Sequence, residues 1–293
     1  MELRVLRYFL TVAREENITR AAEVLHITQP TLSRQLMQLE DELGVQLMVR
    51  GKTKIVLTEE GMLLRRRAQE IIDLTDKTQK EFLEHDSLMN GEIFIGGAET
   101  YAMSMIAQII QEFHQLYPMV TYNLHSGNAD DVKERIDKGL IDIGILAEPV
   151  DIEKYDFIRL PKKDIWGVLI RKDHPLAKKE VITPQDLIGQ NIMCSKRDIV
   201  QNELESWFGN VFSKVHIIAT YNLIYNASLL VESGVGIAFT LEKLIHVNDQ
   251  LPIVFKKLSP QLETGNVVVW KKHQVFSPAT TSFLHYLKNA LKA

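Results

Sequence analysis

The chain has 293 residues, 45% of them apolar and 25% charged, with a formal net charge of −4. That length suits about two domains of roughly 150 residues, and the composition is that of a soluble globular protein. No apolar run approaches the ~20 residues needed to span a bilayer, and the opening Met-Glu-Leu-Arg-Val-Leu-Arg lacks the long apolar core of a secretory signal. A cytoplasmic protein with no membrane partner is therefore expected. Cys194 is the sole cysteine, which excludes an internal disulfide, a cysteine-rich zinc site and an iron–sulfur cluster. Neither a metal nor a cofactor is expected.

A negative chain is a poor polyanion binder as a whole, so the distribution of charge matters. Residues 1–58 hold eight Lys/Arg against seven Asp/Glu, and residues 43–58 hold Arg50, Lys52 and Lys54 with no acid.

Leu3, Leu6, Leu10 and Ala13 recur at helical spacing. Asn17 and Ile18 interrupt the pattern, Thr19 is placed to cap a second helix, and Ala21, Ala22 and Leu25 give that short helix a small-residue contact face. After His26 and Ile27, Thr28 caps a third helix with Pro30 in its first turn, where a missing N–H costs little. Leu32, Leu36, Leu39 and Leu43 form its apolar stripe, and Gly44 ends it. The opposite side presents Thr31, Arg34 and Gln38, flanked by Gln29, Ser33 and Gln35. Two short helices joined by a tight turn describe a helix-turn-helix. Arg forks onto guanine, Gln onto adenine, and Ser and Thr reach phosphates or base edges. On polarity alone, a solvated face of an ordinary helical bundle explains these residues equally well. Residues 45–58 tip the balance: they read as strand, basic glycine turn, strand, a wing that sets Arg50, Lys52 or Lys54 against phosphates or in the minor groove.

The run from Ala21-Ala22 through Leu25, Ile27-Thr28-Gln29-Pro30, Leu32-Ser33-Arg34-Gln35-Leu36, Leu39-Glu40, Leu43-Gly44-Val45 and Leu47, then Leu57-Thr58 and Gly61, closely resembles the DNA-binding domain of LysR-type transcriptional regulators. Met48 stands where that family usually has Phe, and Thr53 where a second wing Arg is common.

Residues 59–88 read as one long helix with a narrow seam of Leu64, Ala68, Ile71, Thr75, Thr78 and Phe82. It resembles the family's linker helix, and a homodimer through it is expected, since paired half-sites need a two-fold partner. A helix packed on its own domain is the alternative.

Residues 91–293 are expected to form the effector domain. Gly91–Gly96, Val120–His125 and Asp142–Leu146 read as strands, alternating with helices whose apolar residues include Ile106, Ile109, Ile110, Phe113 and Leu116 and then a helix over 130–138. That order predicts a mainly parallel sheet. Gly96-Gly97-Ala98-Glu99-Thr100-Tyr101 is not a dinucleotide fingerprint. Strands near Trp166–Ile170, Ile192–Ser195, Val235–Phe239 and Val267–Trp270 follow, with helices through Trp207, over 225–233 and over 283–291. Asp173-His174-Pro175-Leu176-Ala177 and Gly234-Val235-Gly236-Ile237-Ala238 resemble features of the LysR effector domain, itself similar to periplasmic binding proteins. The resemblance implies an α+α/β chain: a winged helix-turn-helix over 1–58, a linker helix over 59–88, and a two-lobed α/β domain over 91–293, with one lobe about 91–161 plus 267–293 and the other about 162–266.

In open α/β sheets ligands bind beyond the C-terminal strand ends, near helix N-termini. That rule selects Glu99, Thr100 and Tyr101; Ser126, Gly127 and Asn128; Leu146 and Ala147; Cys194 and Ser195; and Tyr221 with Asn222. The resemblance implies that hydroxyls such as those of Thr100, Ser126 and Ser195 hold an effector carboxylate. Glu99 would repel a carboxylate and favour an amine or a water-bridged ligand. Each polar residue among them equally suits a helix cap.

The implied protein is a regulator, not an enzyme, that binds double-stranded promoter DNA and a small polar effector, contacts RNA polymerase and assembles as a dimer and then a homotetramer. The chain lacks HExxH, G-x-S-x-G and P-loop signatures. A plain solute-binding protein leaves residues 1–88 unexplained, and a structural DNA-binding protein has no need of the α/β half. Regulation without an effector, or through oxidation of Cys194, is the alternative, although a thiol switch usually needs a resolving thiol.

Overall fold

A computed structural model describes residues 1–51, 54–83 and 89–291, without the side chains of Arg50, Lys80, Glu81, Phe82, Leu83 and Ile199. The chain divides after Leu83 into two compact units, each with its own core.

The first unit runs α1 (Leu3–Glu15), α2 (Ile18–Val24), α3 (Gln29–Leu43), β1 (Met48–Arg50), β2 (Ile55–Leu57) and α4 (Glu59–Leu83). Phe9, fully buried, centres the core, and the buried face of α1 is Val5, Leu6, Phe9, Val12 and Ala13. Leu3 of the expected stripe is exposed and Leu10 only half-buried, because the aromatic ring rather than the leucine spacing sets which side turns inward. Asn17, not Thr19, caps α2: its side chain accepts from the Arg20 N–H at 3.0 Å. In α3, Leu32, Leu36 and Leu39 are buried, but Leu43 is exposed because the helix leaves the core in its last turn. Gly44 closes α3 at φ +68°, a conformation that costs glycine nothing.

The wing strands pair antiparallel, with Met48 opposite Leu57 and Arg50 opposite Ile55. Met48 fills the core beneath them, as a flexible thioether can. Glu40 fastens the wing to α3 by accepting from the Leu47 and Met48 N–H groups at 2.8 and 3.2 Å. Gly61 lets the start of α4 pass Leu47, whose carbonyl oxygen lies 1.9 Å from where a Cβ would stand. The first half of the expected seam of α4 faces this unit, as in the alternative of a helix packed on its own domain, with Ala68 buried and Leu64 and Ile71 half-buried. Leu64, Ala68 and Ile71, with Ile72, pack into this unit's own core, and Arg7 of α1 forks onto Asp76. Thr75 and Thr78 turn their hydroxyls back to the carbonyls of Ile71 and Leu74. The Phe82 side chain lies outside the described residues.

The second unit holds two sheets. The first runs β4 (Val120–Ser126), β3 (Gly91–Gly97), β5 (Ile143–Ala147), β14 (Asn266–Lys271), β6 (Tyr155–Arg159), in that spatial order. It is flanked by α5 (Met103–Leu116), α6 (Ala129–Asp137) and α9 (Pro278–Ala290). The second runs β10 (His216–Tyr221), β9 (Asn191–Ser195), β11 (Ile237–Leu241), β7 (Asp164–Arg171), β12 (Ile253–Leu258), β8 (Val181–Ile182), with β13 (Glu263–Thr264) also on β7. Its helices are α7 (Asp198–Phe208) and α8 (Ile224–Glu232). The β-α-β order did give parallel neighbours: β4 and β5 both run parallel to β3, and β10 and β11 to β9. Both sheets are nonetheless mixed: β14, which returns from the other lobe, runs antiparallel to β5 and β6, and β7, which enters that lobe, runs antiparallel to β11 and β12. Leu116, expected in the core, is exposed at the end of α5.

The two crossings lie side by side. Asp164 accepts from the Asn266 side chain at 3.0 Å, both residues buried. Burial pushes the Asp164 carboxyl up, opposed by Asn266 and by the backbone N–H groups of Ala102 and Tyr101 at the start of α5. The Thr264 hydroxyl donates to the Glu148 carbonyl beside them.

Candidate functional site

Two surfaces gather the residues singled out in the sequence. On the first unit, Gln29, Pro30, Thr31, Arg34 and Gln38 are exposed along one side of α3, with Ser33 and Gln35 half-buried at its margins. The helix holds them in register because its Leu stripe is buried on the opposite side. Thr28 sits at the cap, but its hydroxyl bonds to that of Thr31 at 2.8 Å rather than to the backbone. Gln38 donates to Glu42 at 3.3 Å, and Glu42 also pairs with the N-terminal amine at 2.7 Å, which lowers its pKa. Arg34 makes no hydrogen bond or ion pair among the described residues, so its fork is available. On the wing, Lys54 pairs with Glu16 at 2.7 Å. Both are exposed, so a pair of this kind is worth at most about 1 kcal/mol and yields readily to a phosphate. Lys52 and the Arg50 side chain lie outside the described residues.

On the second unit, the C-terminal ends of β3, β4 and β5 face lobe two across a cleft with two cavities. The smaller, about 90 Å³, is lined by Glu99, Asn128, Ala147, Ser195, Tyr221 and Asn222 together with Trp166, Arg197, Leu223 and Leu244. The larger, about 340 Å³, is lined by Glu99, Thr100, Tyr101 and Ser126 together with His125, Lys243 and Leu244. Glu99, Ala98 and Leu244 border both. Three selected residues lie elsewhere. Leu146 and Cys194 point into the lobe cores, since alternate residues of a strand face opposite sides. Gly127 is buried against Asp131, whose oxygen is 2.1 Å from where a Cβ would stand.

Two polar bridges cross the cleft. The Glu99 carboxylate accepts from the Ile224 N–H at 2.9 Å, capping α8, which has no side-chain cap of its own; the negative charge suits the positive end of the helix dipole. From the other side Arg197, at the start of α7, donates to Asp130 at 3.1 Å and to the Pro149 carbonyl at 3.5 Å, with 9% of its side chain exposed. Arg197 escaped the sequence reading, yet an Arg directly before a helix, where Ser or Asp is usual, was a visible signal. Trp166, Lys243 and Leu244 carried no such signal, because the crossings that place them are tertiary.

Several selected polar groups already make hydrogen bonds within the protein. Asn128 caps α6, accepting from the Asp130 and Asp131 N–H groups at 3.0 Å. Ser195 Oγ accepts from the Arg197 N–H at 3.3 Å. The Tyr221 hydroxyl donates to the Phe239 carbonyl, and burial, then Cys194 and Glu99, push its pKa up. Its ring is what it offers the cleft. The Thr100 hydroxyl, by contrast, is buried with no hydrogen-bond partner among the described residues, and so is the Trp166 indole N–H.

A helix-turn-helix with an exposed polar reading face, followed by a two-lobed cleft domain, defines a one-component regulator: a chain that carries both a nucleic-acid reader and a sensing fold. The family profile described as bacterial regulatory helix-turn-helix protein, lysR family, matches residues 3–62, and that of the LysR substrate binding domain matches residues 86–292. The chain belongs to the LysR family of transcriptional regulators. It is 30% identical over 269 residues to the HTH-type transcriptional regulator YvbU of Bacillus subtilis (strain 168), covering 89% of each chain. It is 28% identical to the Hca operon transcriptional activator HcaR of Escherichia coli (strain K12), covering 99% of this chain and 98% of that one. Over 194 residues it is 32% identical to the hydrogen peroxide-inducible genes activator of Pectobacterium carotovorum subsp. carotovorum, covering 66% of this chain and 64% of that one. In fold it is similar to CbnR, a LysR family transcriptional regulator, with a TM-score of 0.80 at 18% identity over 100% of both chains. Among the described residues no helix is long and apolar enough to cross a membrane.

Proposed function

We propose that this LysR-type regulator acts in the cytoplasm by reading operator DNA with α3 and the wing, and that a small molecule held between the lobes of its second unit modulates that binding. The observation that carries the DNA half is Arg34, exposed and unpartnered among the described residues, between Thr31 and Gln38 on a helix anchored by its buried leucines. CbnR has been seen complexed with its target DNA, and the same docking on this chain would present Gln29, Pro30, Thr31, Ser33, Arg34, Gln35 and Gln38 to the major groove. Arg50, Lys52 and Lys54 would meet the backbone or minor groove beside it.

Pairing of half-sites calls for a homodimer, and a homotetramer follows if two dimers associate. Half-sites about one helical turn (~34 Å) apart or a multiple of it are then expected. With Leu64, Ala68 and Ile71 already used in the unit's own core, the exposed Leu63 and Leu74 of α4, with Arg67 and Glu70 between them at helical spacing, are the contact we assign to the partner helix. The cleft half rests on the Glu99 and Arg197 bridges: a ligand that binds better with these bridges made, or broken, shifts the lobe equilibrium by that difference in affinity. RNA polymerase is the downstream partner in this reading.

Anisotropy of labelled duplex selected for binding tests it. Arg34→Ala should weaken selected DNA far more than random DNA. Equal losses on both would make Arg34 a phosphate clamp and remove it from base reading. A redox reading, which the likeness to hydrogen peroxide-inducible activators invites, is not favoured. Cys194 is buried at 2% exposure, burial pushes its thiol up, and no second cysteine exists to resolve a sulfenic acid.

A further inference from the structure

Charge in the cleft is unevenly settled. Arg197 is matched by Asp130, and Glu148 by Arg159 at 3.1 Å. Lys243 Nζ lies 4.5 Å over the Tyr101 ring. Glu99 alone among the charged residues lining the 90 Å³ cavity has no ion-pair partner among the described residues. Its Oε2 accepts from the Ile224 N–H; no hydrogen bond to its other oxygen is made among the described residues. The helix N-terminus therefore fixes the carboxylate in place while leaving one of its two oxygens unused.

The smaller cavity has an apolar and aromatic part, lined by Ala98, Trp166, Tyr221, Leu223 and Leu244, beside a polar part lined by Asn128, Ser195, Arg197 and Asn222. Thr100, 5% exposed and with its hydroxyl unpartnered among the described residues, lines the larger one next to Glu99. A carboxylate ligand entering the smaller cavity would face a like charge with no free guanidinium or ammonium to offset it there, since Lys243 lines the larger cavity, over the Tyr101 ring. An alkylammonium would meet an oriented carboxylate and two aromatic side chains, a setting in which cations are favourably held.

We infer that the cleft selects a small organic ammonium ion with an apolar body, whose charged nitrogen pairs with the unused Glu99 oxygen. This rests on the cleft being the effector site, and it replaces the carboxylate effector that the family resemblance implied. The nitrogen donates to Glu99, its stem lies against Trp166 and Tyr221, and the apolar remainder extends past Glu99 into the 340 Å³ cavity.

The test uses the full chain and three probes of matched length: hexylammonium, heptanoate and 1-heptanol, each titrated by calorimetry and by thermal shift up to about 10 mM, since fragments of this size bind in the millimolar range. Hexylammonium should bind saturably and raise the melting temperature, and heptanoate and heptanol should bind at least about tenfold more weakly. Glu99→Gln keeps an oxygen for the Ile224 N–H and should weaken hexylammonium by about tenfold or more, while the free protein loses only the few degrees of melting temperature that the missing charge at the start of α8 accounts for. Heptanoate binding as tightly as hexylammonium, and weakened by Trp166→Ala, would overturn the ammonium assignment and leave the cleft as the effector site. Hexylammonium binding unchanged in Glu99→Gln would overturn the assignment likewise. Binding of none of the three overturns both it and the cleft reading.

Discussion

The reading face of α3 and the inter-lobe cleft are built by opposite means. The face is a single helix, so its residues lie within ten positions of one another and their register follows from one buried stripe of Leu32, Leu36 and Leu39. The cleft gathers chain positions as distant as Glu99 and Ile224, and no local pattern announces that they meet. On α3, Arg34 makes no hydrogen bond or ion pair among the described residues and is open to an external partner. In the cleft most polar groups already bind the protein itself: Asn128 caps α6, Ser195 takes the Arg197 N–H, and Glu99 caps α8. An open surface can be read off residue types, whereas a cleft must be read off what is left unsatisfied.

The contrast can be broken experimentally, beginning with the largest effect. Phe9→Ala empties the centre of the first core and should cost that unit about 3–5 kcal/mol. Chemical unfolding followed by hydrogen exchange should show protection lost in residues 1–83 and retained in the second unit; loss in both would contradict separate cores. Arg34→Ala should cost about 1–3 kcal/mol of affinity for selected DNA with no change in melting temperature, as expected for an exposed side chain with no internal partner. A stability loss would show that it serves the fold.

Asn128→Ala tests the groups already bonded within the protein. Losing the α6 cap should lower stability by about 1 kcal/mol, and Asn128→Asp should restore it, whatever the effector. If both variants instead alter ligand response at unchanged stability, Asn128 is a ligand contact. The smallest effect is expected at Cys194: a thiol reagent such as a disulfide dye should fail to label it in the folded chain and label it fully in denaturant, because the buried thiol resists ionisation. Rapid labelling of the native protein would reopen the oxidation reading.

The legible part of the molecule follows from the same contrast. The helix-turn-helix, the wing and the alternation of strands and helices in the second unit rest on local spacing, caps and turn residues, and these are visible in the chain. Errors arose where packing overrode spacing. Phe9 turned α1 away from the Leu3–Leu10 stripe, and Leu64, Ala68 and Ile71 of the presumed partner seam were claimed by their own core. In the cleft the strand-end rule found Glu99, Thr100 and Ser195 because strand ends are local. It missed Trp166 and Lys243, which reach the site only through the crossings near Asp164 and through the end of β11. It also misplaced Leu146 and Cys194, one residue short of the strand ends, where side-chain alternation turns them inward.

Sequence-specific DNA reading by a paired α3 is what we propose for the first unit. The most direct measurement is selection of bound duplexes from a random library by the full chain, with Arg34→Ala run in parallel. Enrichment of a two-fold related motif, with half-sites roughly one turn (about 10 bp) or a multiple apart and lost in Arg34→Ala, is the predicted result. Recovery of no motif, or of the same motif by both proteins, would contradict it.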